Sequence, residues 1–367
     1  MKKTFFSLLL VLALVLPTVS CDILLEDPNN LSSSSESQNQ SVTPDISEEA
    51  LSATVPEMPF YSESRGGYYL SGDTAYELHA YSESGARTYA SLMNKAAEVV
   101  AGKAKVYDLI IPFHYTYALG ADVQDSMELP DAGEVISYMY SGMNGDVRTV
   151  DVHSALMAHR EEYIYFRTDY HWTATGAYYA YEAFCKQAGI TAPPLSSYEK
   201  LTFGGFLGSL YSIVNKPSAM GNNPDTVEAY IPKGTNDEYI YDASGGDRAL
   251  YRGGVVRRDT DFFYQAAASK YNCFLTGDHP LIEIHNENIS ADRKGTTVLL
   301  VKESFGNALA PFLVDSYEHV YVVDYRYYNG TLSQLVADKG VDDVIFLNNI
   351  VAATGGARLS EMEDFIQ

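Results

Sequence analysis

Residues 297–349 read TVLLVKESFGNALAPFLVDSYEHVYVVDYRYYNGTLSQLVADKGVDDVIFLNN. Thr297–Lys302, His319–Asp324 and Val341–Leu347 are short apolar runs, each long enough for a strand buried on both faces. Ala308–Ser316 and Leu332–Lys339 lie between them with helical character. Strand, helix, strand, helix, strand is the order of a parallel sheet with right-handed crossovers. Ligands of such sheets bind beyond the carboxyl ends of the strands. The residues that follow each strand are therefore the ones that matter: Glu303-Ser304-Phe305-Gly306, Asp324-Tyr325-Arg326 and Asn348-Asn349.

The same alternation is read further upstream. Ser82–Val100 has helical apolar spacing and is stopped by Gly102. Val106–Ile111 is a buried-strand run, Val135–Met143 a helix and Val147–Val152 a strand. Glu162–Phe166 (EYIYF) reads as a strand that delivers Asp169 and His171, and Thr175–Ala188 as a helix closed by Gly189. Ser71–Glu77 reads as a turn leading into a helix. Between 193 and 294 the glycine pairs Gly204-Gly205, Gly245-Gly246 and Gly253-Gly254, with short Tyr-rich runs such as Glu238–Tyr241, predict a loop- and hairpin-rich insertion or lid.

Composition narrows the function. The 367 residues hold 48 acidic against 25 basic side chains, a formal net charge of −23. Nucleic-acid binding needs clustered Lys and Arg, and none occurs. Apolar residues make up 46% of the chain, enough for a substantial core. No C-x-x-C, H-E-x-x-H, Walker loop or G-x-G-x-x-G is present, so neither a metal nor a cofactor is expected. His279 and Glu283 are four apart, but Pro280 and the alternating LIEI that follows indicate a strand rather than a ligand pair. Cys185 and Cys273 are either a pair or two buried thiols.

Two features carry the chemistry. In extended backbone Asp169 and His171 point to the same side, which lets the carboxylate accept the Nδ1 proton and hold the imidazole tautomer. Ser304 stands between a strand and a helix, where the Ser304, Phe305 or Gly306 N–H groups can face an oxyanion. A serine there is also an ordinary helix cap, and Pro311 argues for a helix that begins near Ala308 or for a separate first turn.

Arg167-Thr168-Asp169-Tyr170-His171-Trp172-Thr173-Ala174-Thr175-Gly176-Ala177 resembles the D-x-H-W-T-x-x-G segment of the alginate O-acetyltransferase group. It is closer still to bacterial DHHW proteins, with Tyr170 in place of their first His. Lys302-Glu303-Ser304-Phe305-Gly306-Asn307-Ala308 resembles their K-D-S-F/Y-G-N-A motif, with Glu303 in place of Asp. The resemblance covers most of 60–367. It implies a three-layer α/β/α, SGNH-hydrolase-like domain with a mostly parallel sheet and a permuted motif order, Asp and His preceding Ser. It implies Ser304 as nucleophile, His171 as general base and Asp169 as its orienting partner. Phe305, Gly306, Arg326, Asn348 and Trp172 are expected to supply oxyanion or substrate-binding groups. The implied activity is that of a serine-dependent O-acyltransferase or esterase acting on O-acetyl groups of a cell-envelope polysaccharide. The implied partner is a polysaccharide or other acylated glycan, and whether a membrane-bound acyltransferase feeds the site stays open. The rival reading is an inactive glycan-binding or assembly protein, with Tyr178, Tyr179, Tyr181, Tyr325, Tyr327 and Tyr328 as stacking platforms.

The amino-terminal end adds an address. Lys2 and Lys3, the apolar run Phe5–Leu16, Pro17 and Ser20 have the layout of a secretory signal peptide over 1–20. Thr18-Val19-Ser20-Cys21 resembles a bacterial lipobox, with Thr18 where Leu is usual, and implies lipidation of Cys21. The polar stretch 21–59 then reads as a flexible tether. The expected location is the outer face of the bacterial cell membrane, the lipid holding an exported domain.

Overall fold

Val298 and Leu300 pack into one apolar cluster, while Leu299 and Val301 pack into another on the opposite face. All four are fully buried. The strand Thr297–Lys302 is thus covered on both sides, as its uninterrupted apolar run requires. The computed structural model describes residues 67–78, 81–258 and 267–367, the side chains of 267–269 excepted. These belong to one compact unit, Ser52–Gln367. The leader, Cys21 and the tether lie outside the described residues.

Twelve strands follow in chain order: β1 (Gly67–Ser71), β2 (Thr74–Leu78), β3 (Lys105–Ile111), β4 (Val147–Thr149), β5 (Glu199–Phe206), β6 (Asp225–Ile231), β7 (Glu238–Tyr241), β8 (Arg248–Tyr251), β9 (Leu281–His285), β10 (Thr297–Lys302), β11 (His319–Asp324) and β12 (Asp343–Asn349). Eight form the central sheet in the order β4-β3-β12-β10-β11-β9-β7-β8. The first five run parallel, and β9, β7 and β8 extend the sheet antiparallel from β11. In register, Lys302 lies between Asp324 and Leu347. The ends of β10, β11 and β12 therefore form one rim.

Helices cover both faces. Val152–Met157, Ala174–Ala188 and Gly306–Leu313 pack on one; Glu83–Val99, Ala132–Ser141, Leu332–Lys339 and Gly356–Ile366 pack on the other. The result is a three-layer α/β/α fold. Side-chain caps fix several starts: Ser82 accepts from the Gly85 N–H, Thr173 from Gly176 and Thr331 from Gln334. Gly189 and Gly340 close two helices with positive φ of 75° and 63°. Among the described residues no helix is long and apolar enough to cross a membrane. Cys185 and Cys273 are buried free thiols.

The structure corrects four local readings. Ser71–Glu77 is no helix start: β1 and β2 form a hairpin across Gly72-Asp73, with Gly72 at φ 63°. Glu162–Phe166 is not a sheet strand. Only an isolated bridge joins Tyr165 to Trp172, and the backbone closes on itself through Phe166 N–H to His171 O (3.2 Å) and Thr173 N–H to Ile164 O (2.9 Å). The helix after Ser304 begins at Gly306 and carries Pro311 inside it. Segment 193–294 is more than a lid, because β7, β8 and β9 join the main sheet while β5 and β6 pair separately.

Candidate active site

The loop that bears Asp169 is clamped by a buried carboxylate on β6. Asp225 accepts hydrogen bonds from Thr168 N–H (2.7 Å) and Oγ1 (2.6 Å), Arg167 N–H and Nε (both 3.1 Å), and the Tyr163 hydroxyl (2.5 Å). Arg167 also reaches Asp73 at 2.6 Å, tying the loop to the first hairpin. Asp169 Oδ1 accepts from the His171 N–H (3.0 Å) and lies 2.6 Å from His171 Nδ1. Its Oδ2 accepts from the Ser209 N–H (2.8 Å) and hydroxyl (3.0 Å). Burial alone raises the Asp169 pKa. The charge and hydrogen bonds of His171, with the Ser209 amide, outweigh it and hold the carboxyl below its ordinary value. Gly208 lies so close that an added Cβ would meet Asp169 Oδ2 at 2.2 Å, which explains the glycine.

Ser304 follows β10 on the shared rim. Its Oγ lies 2.8 Å from His171 Nε2 although the two residues are 133 positions apart. Asp169, His171 and Ser304 thus form a continuous hydrogen-bonded chain with the geometry of a nucleophile, a base and an orienting acid. Asp169 and His171 are buried, and Ser304 is part-exposed. Tyr271 packs against the relay: its ring stacks on His171, centroids 4.1 Å apart and 15° off parallel, while its hydroxyl donates to Ser304 O at 3.1 Å.

The turn after β10 is built by Glu303. One carboxylate oxygen accepts from the Asn349 N–H (3.0 Å), the other from the Phe305 N–H (3.1 Å) and lies 3.3 Å from Ser304 Oγ. The Gly306 N–H bonds the Glu303 carbonyl at 2.9 Å. Two of the three amides expected to face an oxyanion are therefore already spent, and the Ser304 N–H has no partner among the described residues. Gly306 is needed because a Cβ there would come within 2.5 Å of Lys302 Cβ.

The other expected substrate groups turn inward. Trp172 is fully buried and its indole N–H donates to Phe305 O at 2.9 Å, so it holds the turn that follows Ser304 and has no exposed surface to offer a ligand. Asn348 is fully buried; its carboxamide accepts from Tyr325 (2.8 Å) and donates to Tyr89 (3.3 Å). The Arg326 guanidinium bonds Asp324 at 2.8 and 2.6 Å and Asp278 at 2.8 Å. Fully buried Lys302 shares the same acids, at 2.9 Å from Asp278 and 2.8 Å from Asp324, and Asn307 also donates to Asp278 (2.8 Å). Burial pushes Asp278 up, but the two cations and these hydrogen bonds hold it far below the carboxylate range. This network braces the base of the turn that carries Ser304. Of the six tyrosines considered as platforms, Tyr178, Tyr181 and Tyr325 belong to the core.

Sequence reading misses Ser209, Asp225, Tyr271, Asp278 and Glu77, none of which lies in either motif. Glu77 lines a small pocket beside the relay with Pro112, Phe113, His114, Tyr170, Leu210, Phe305 and Asn349. A larger cavity of about 730 Å³ opens at the opposite, amino-terminal end of β3, lined by Lys95, Lys105 and Arg148 among others. Among the described residues no group of three or more His, Cys, Asp or Glu is placed to hold a metal ion.

A family model described as DHHW protein matches residues 14–323. The structure is similar to that of a DHHW family protein from Eubacterium siraeum, with 27% identity and a TM-score of 0.69 over 81% of this chain and 97% of that one. It is also similar to Bacillus cereus PatB1 solved with a sulfonyl adduct, with 18% identity and a TM-score of 0.64 over 82% and 98%. No curated protein is a significant match.

Proposed function

The chain belongs to the DHHW family, and from its relay we propose that it is a serine-dependent O-acyltransferase or esterase of a cell-envelope polysaccharide. One observation carries this reading: His171 Nε2 lies 2.8 Å from Ser304 Oγ while Nδ1 lies 2.6 Å from Asp169. Acetyl as the acyl group and glycan as the carrier are supported by the motif likeness to the alginate O-acetyltransferase group. In the same proposal the chain is exported and held to the membrane through a lipid on Cys21.

In the first step Ser304 Oγ attacks the acyl carbon and its proton passes to His171 Nε2. The imidazolium that forms is stabilised by Asp169. The tetrahedral oxyanion faces the Ser304 N–H. Collapse breaks the ester bond, the departing alkoxide takes the proton from His171, and an acyl-serine remains. In the second step a sugar hydroxyl or water gives its proton to His171 and attacks the acyl carbon, and Ser304 recovers its proton. The test is labelling of the purified protein with a fluorophosphonate, together with turnover of p-nitrophenyl acetate. The wild type is expected to label and turn over, and Ser304→Ala to do neither. A wild type that does neither overturns the enzyme reading and leaves the glycan-binding one.

A further inference from the structure

Outside the relay, the carboxylate of Glu77 faces the site without a hydrogen-bond partner among the described residues. Glu77 on β2 lines the pocket walled by Phe113, Tyr170, Leu210 and Phe305, and its carboxylate makes no hydrogen bond with any described residue. Burial pushes its carboxyl up, the charges of Asp169 and Glu303 push it further against the pull of His171, and it reaches about 7. Among the described residues of the pocket no cation answers it. His114 is kept neutral by burial, its pKa pushed down to about 3. Lys302 and Arg326 are each bonded to both Asp278 and Asp324, so those four charges compensate one another. Among the described residues, the carboxylates whose charges act on one another here are Asp169 and Glu303, which hold the relay and its turn, and Glu77, whose carboxylate has no hydrogen-bond partner. Glu77 is half-buried, and a carboxylate partly shielded from water without a partner gains when a donor reaches it. A ligand carboxylate or phosphate placed there would add a fourth like charge at short range.

Resting on the reading of Ser304 as an acyl-transfer centre, we propose that the sugar beside Ser304 bears no carboxylate or phosphate, and that Glu77 accepts a hydrogen bond from its hydroxyl or amino group. Site charge thereby selects the glycan: neutral and amino sugars enter and polyuronates do not.

The test reads binding apart from turnover. Full-length Ser304→Ala protein is titrated calorimetrically with chitotetraose, tetraglucosamine and tetragalacturonate at physiological salt. At least one of the first two is expected to bind about tenfold or more tightly than the uronate, roughly 1.4 kcal/mol. Adding Glu77→Gln is expected to narrow that ratio, and Glu77→Asp to keep part of it. A uronate that binds as well as the others, a ratio unmoved by Glu77→Gln, or no binding of the first two at millimolar concentration overturns the proposal. Turnover of p-nitrophenyl acetate by the wild type is measured in parallel. Its absence counts against the acyl-transfer reading, whereas its presence with uronate preference counts only against the role of Glu77.

Discussion

Replacing Asp169 by Asn separates orientation from charge in the relay. Oδ1 accepts the His171 N–H and Nδ1–H, and Oδ2 accepts the Ser209 N–H. A carboxamide satisfies only one side. With its oxygen toward His171, the NH₂ opposes the Ser209 N–H. With its oxygen toward Ser209, the NH₂ opposes the His171 N–H and forces the other imidazole tautomer. Each orientation strands one backbone N–H, but in the first the Ser209 hydroxyl can turn to accept from the NH₂, so the imidazole keeps its tautomer and loses the negative charge beside it. At about 4 Å between charge centres and an effective dielectric constant near 20, a unit pair is worth about 4 kcal/mol. That term stabilises the imidazolium in the transition state, and each 1.36 kcal/mol is roughly tenfold in rate, so kcat on p-nitrophenyl acetate is expected to fall about 10³-fold. The stranded Ser209 N–H adds about 1–3 kcal/mol of destabilisation, read by urea unfolding. A variant that keeps more than a tenth of the wild-type kcat, in a protein whose Ser304→Ala form is inactive, would refute the role given to Asp169.

Three further outcomes are expected. Tyr271→Phe keeps the stack on His171 but loses the hydroxyl bond to Ser304 O; a net hydrogen bond is worth about 1 kcal/mol, so kcat should drop roughly fivefold, with Tyr271→Ala dropping further, by steady-state assay. Gly208→Ala forces a Cβ to 2.2 Å from Asp169 Oδ2; displacing the carboxylate by about 1 Å should cost roughly 10²-fold in kcat, and equal rates in the two proteins would exclude this tight fit. Glu238 is fully buried on β7, neither carboxylate oxygen has a hydrogen-bond partner among the described residues, and burial pushes its pKa up to about 8. A carboxyl raised on folding binds more protons in the folded state, so stability falls as pH rises from its ordinary value toward 8; Glu238→Gln should raise the melting temperature at pH 8 and flatten its decline from pH 5, and an unchanged slope would contradict this.

The chain discloses its fold where burial leaves no choice. Thr297–Lys302 and His319–Asp324 are found at the residues their apolar patterns give, because strands covered on both faces admit few polar residues; the helix Leu332–Lys339 is found where expected because Leu332, Leu335 and Val336 bury one helical face. The first hairpin and Glu162–Phe166 mislead for the opposite reason. Tyr68, Tyr69, Tyr76, Tyr163 and Tyr165 suit strands, loops and rims alike, and only the partner decides which. The extension of the sheet by β7, β8 and β9 rests on pairing between residues far apart, such as Val320 with Ile284, and no local pattern encodes that.

For the site, placement after a strand is legible and orientation is not. Arg326 and Asn348 stand at strand ends as expected, yet the first is held by Asp278 and Asp324 and the second faces Tyr89 and Tyr325. The motifs themselves explain why. In Arg167–Gly176 only Asp169 and His171 meet the nucleophile's hydroxyl chain. Thr168 and Arg167 bind Asp225, Trp172 holds the Phe305 carbonyl, and Thr173 caps the following helix. Gly176 admits the Ile164 carbonyl, which a Cβ would meet at 2.4 Å. Most of the motif therefore maintains a distance rather than performing a step. Two segments separated by 133 positions keep a 2.8 Å contact only if both are braced from behind. An imidazole loosened by one lost brace remains present but ceases to be aligned, and alignment is what a weak nucleophile such as Ser304 needs from its base.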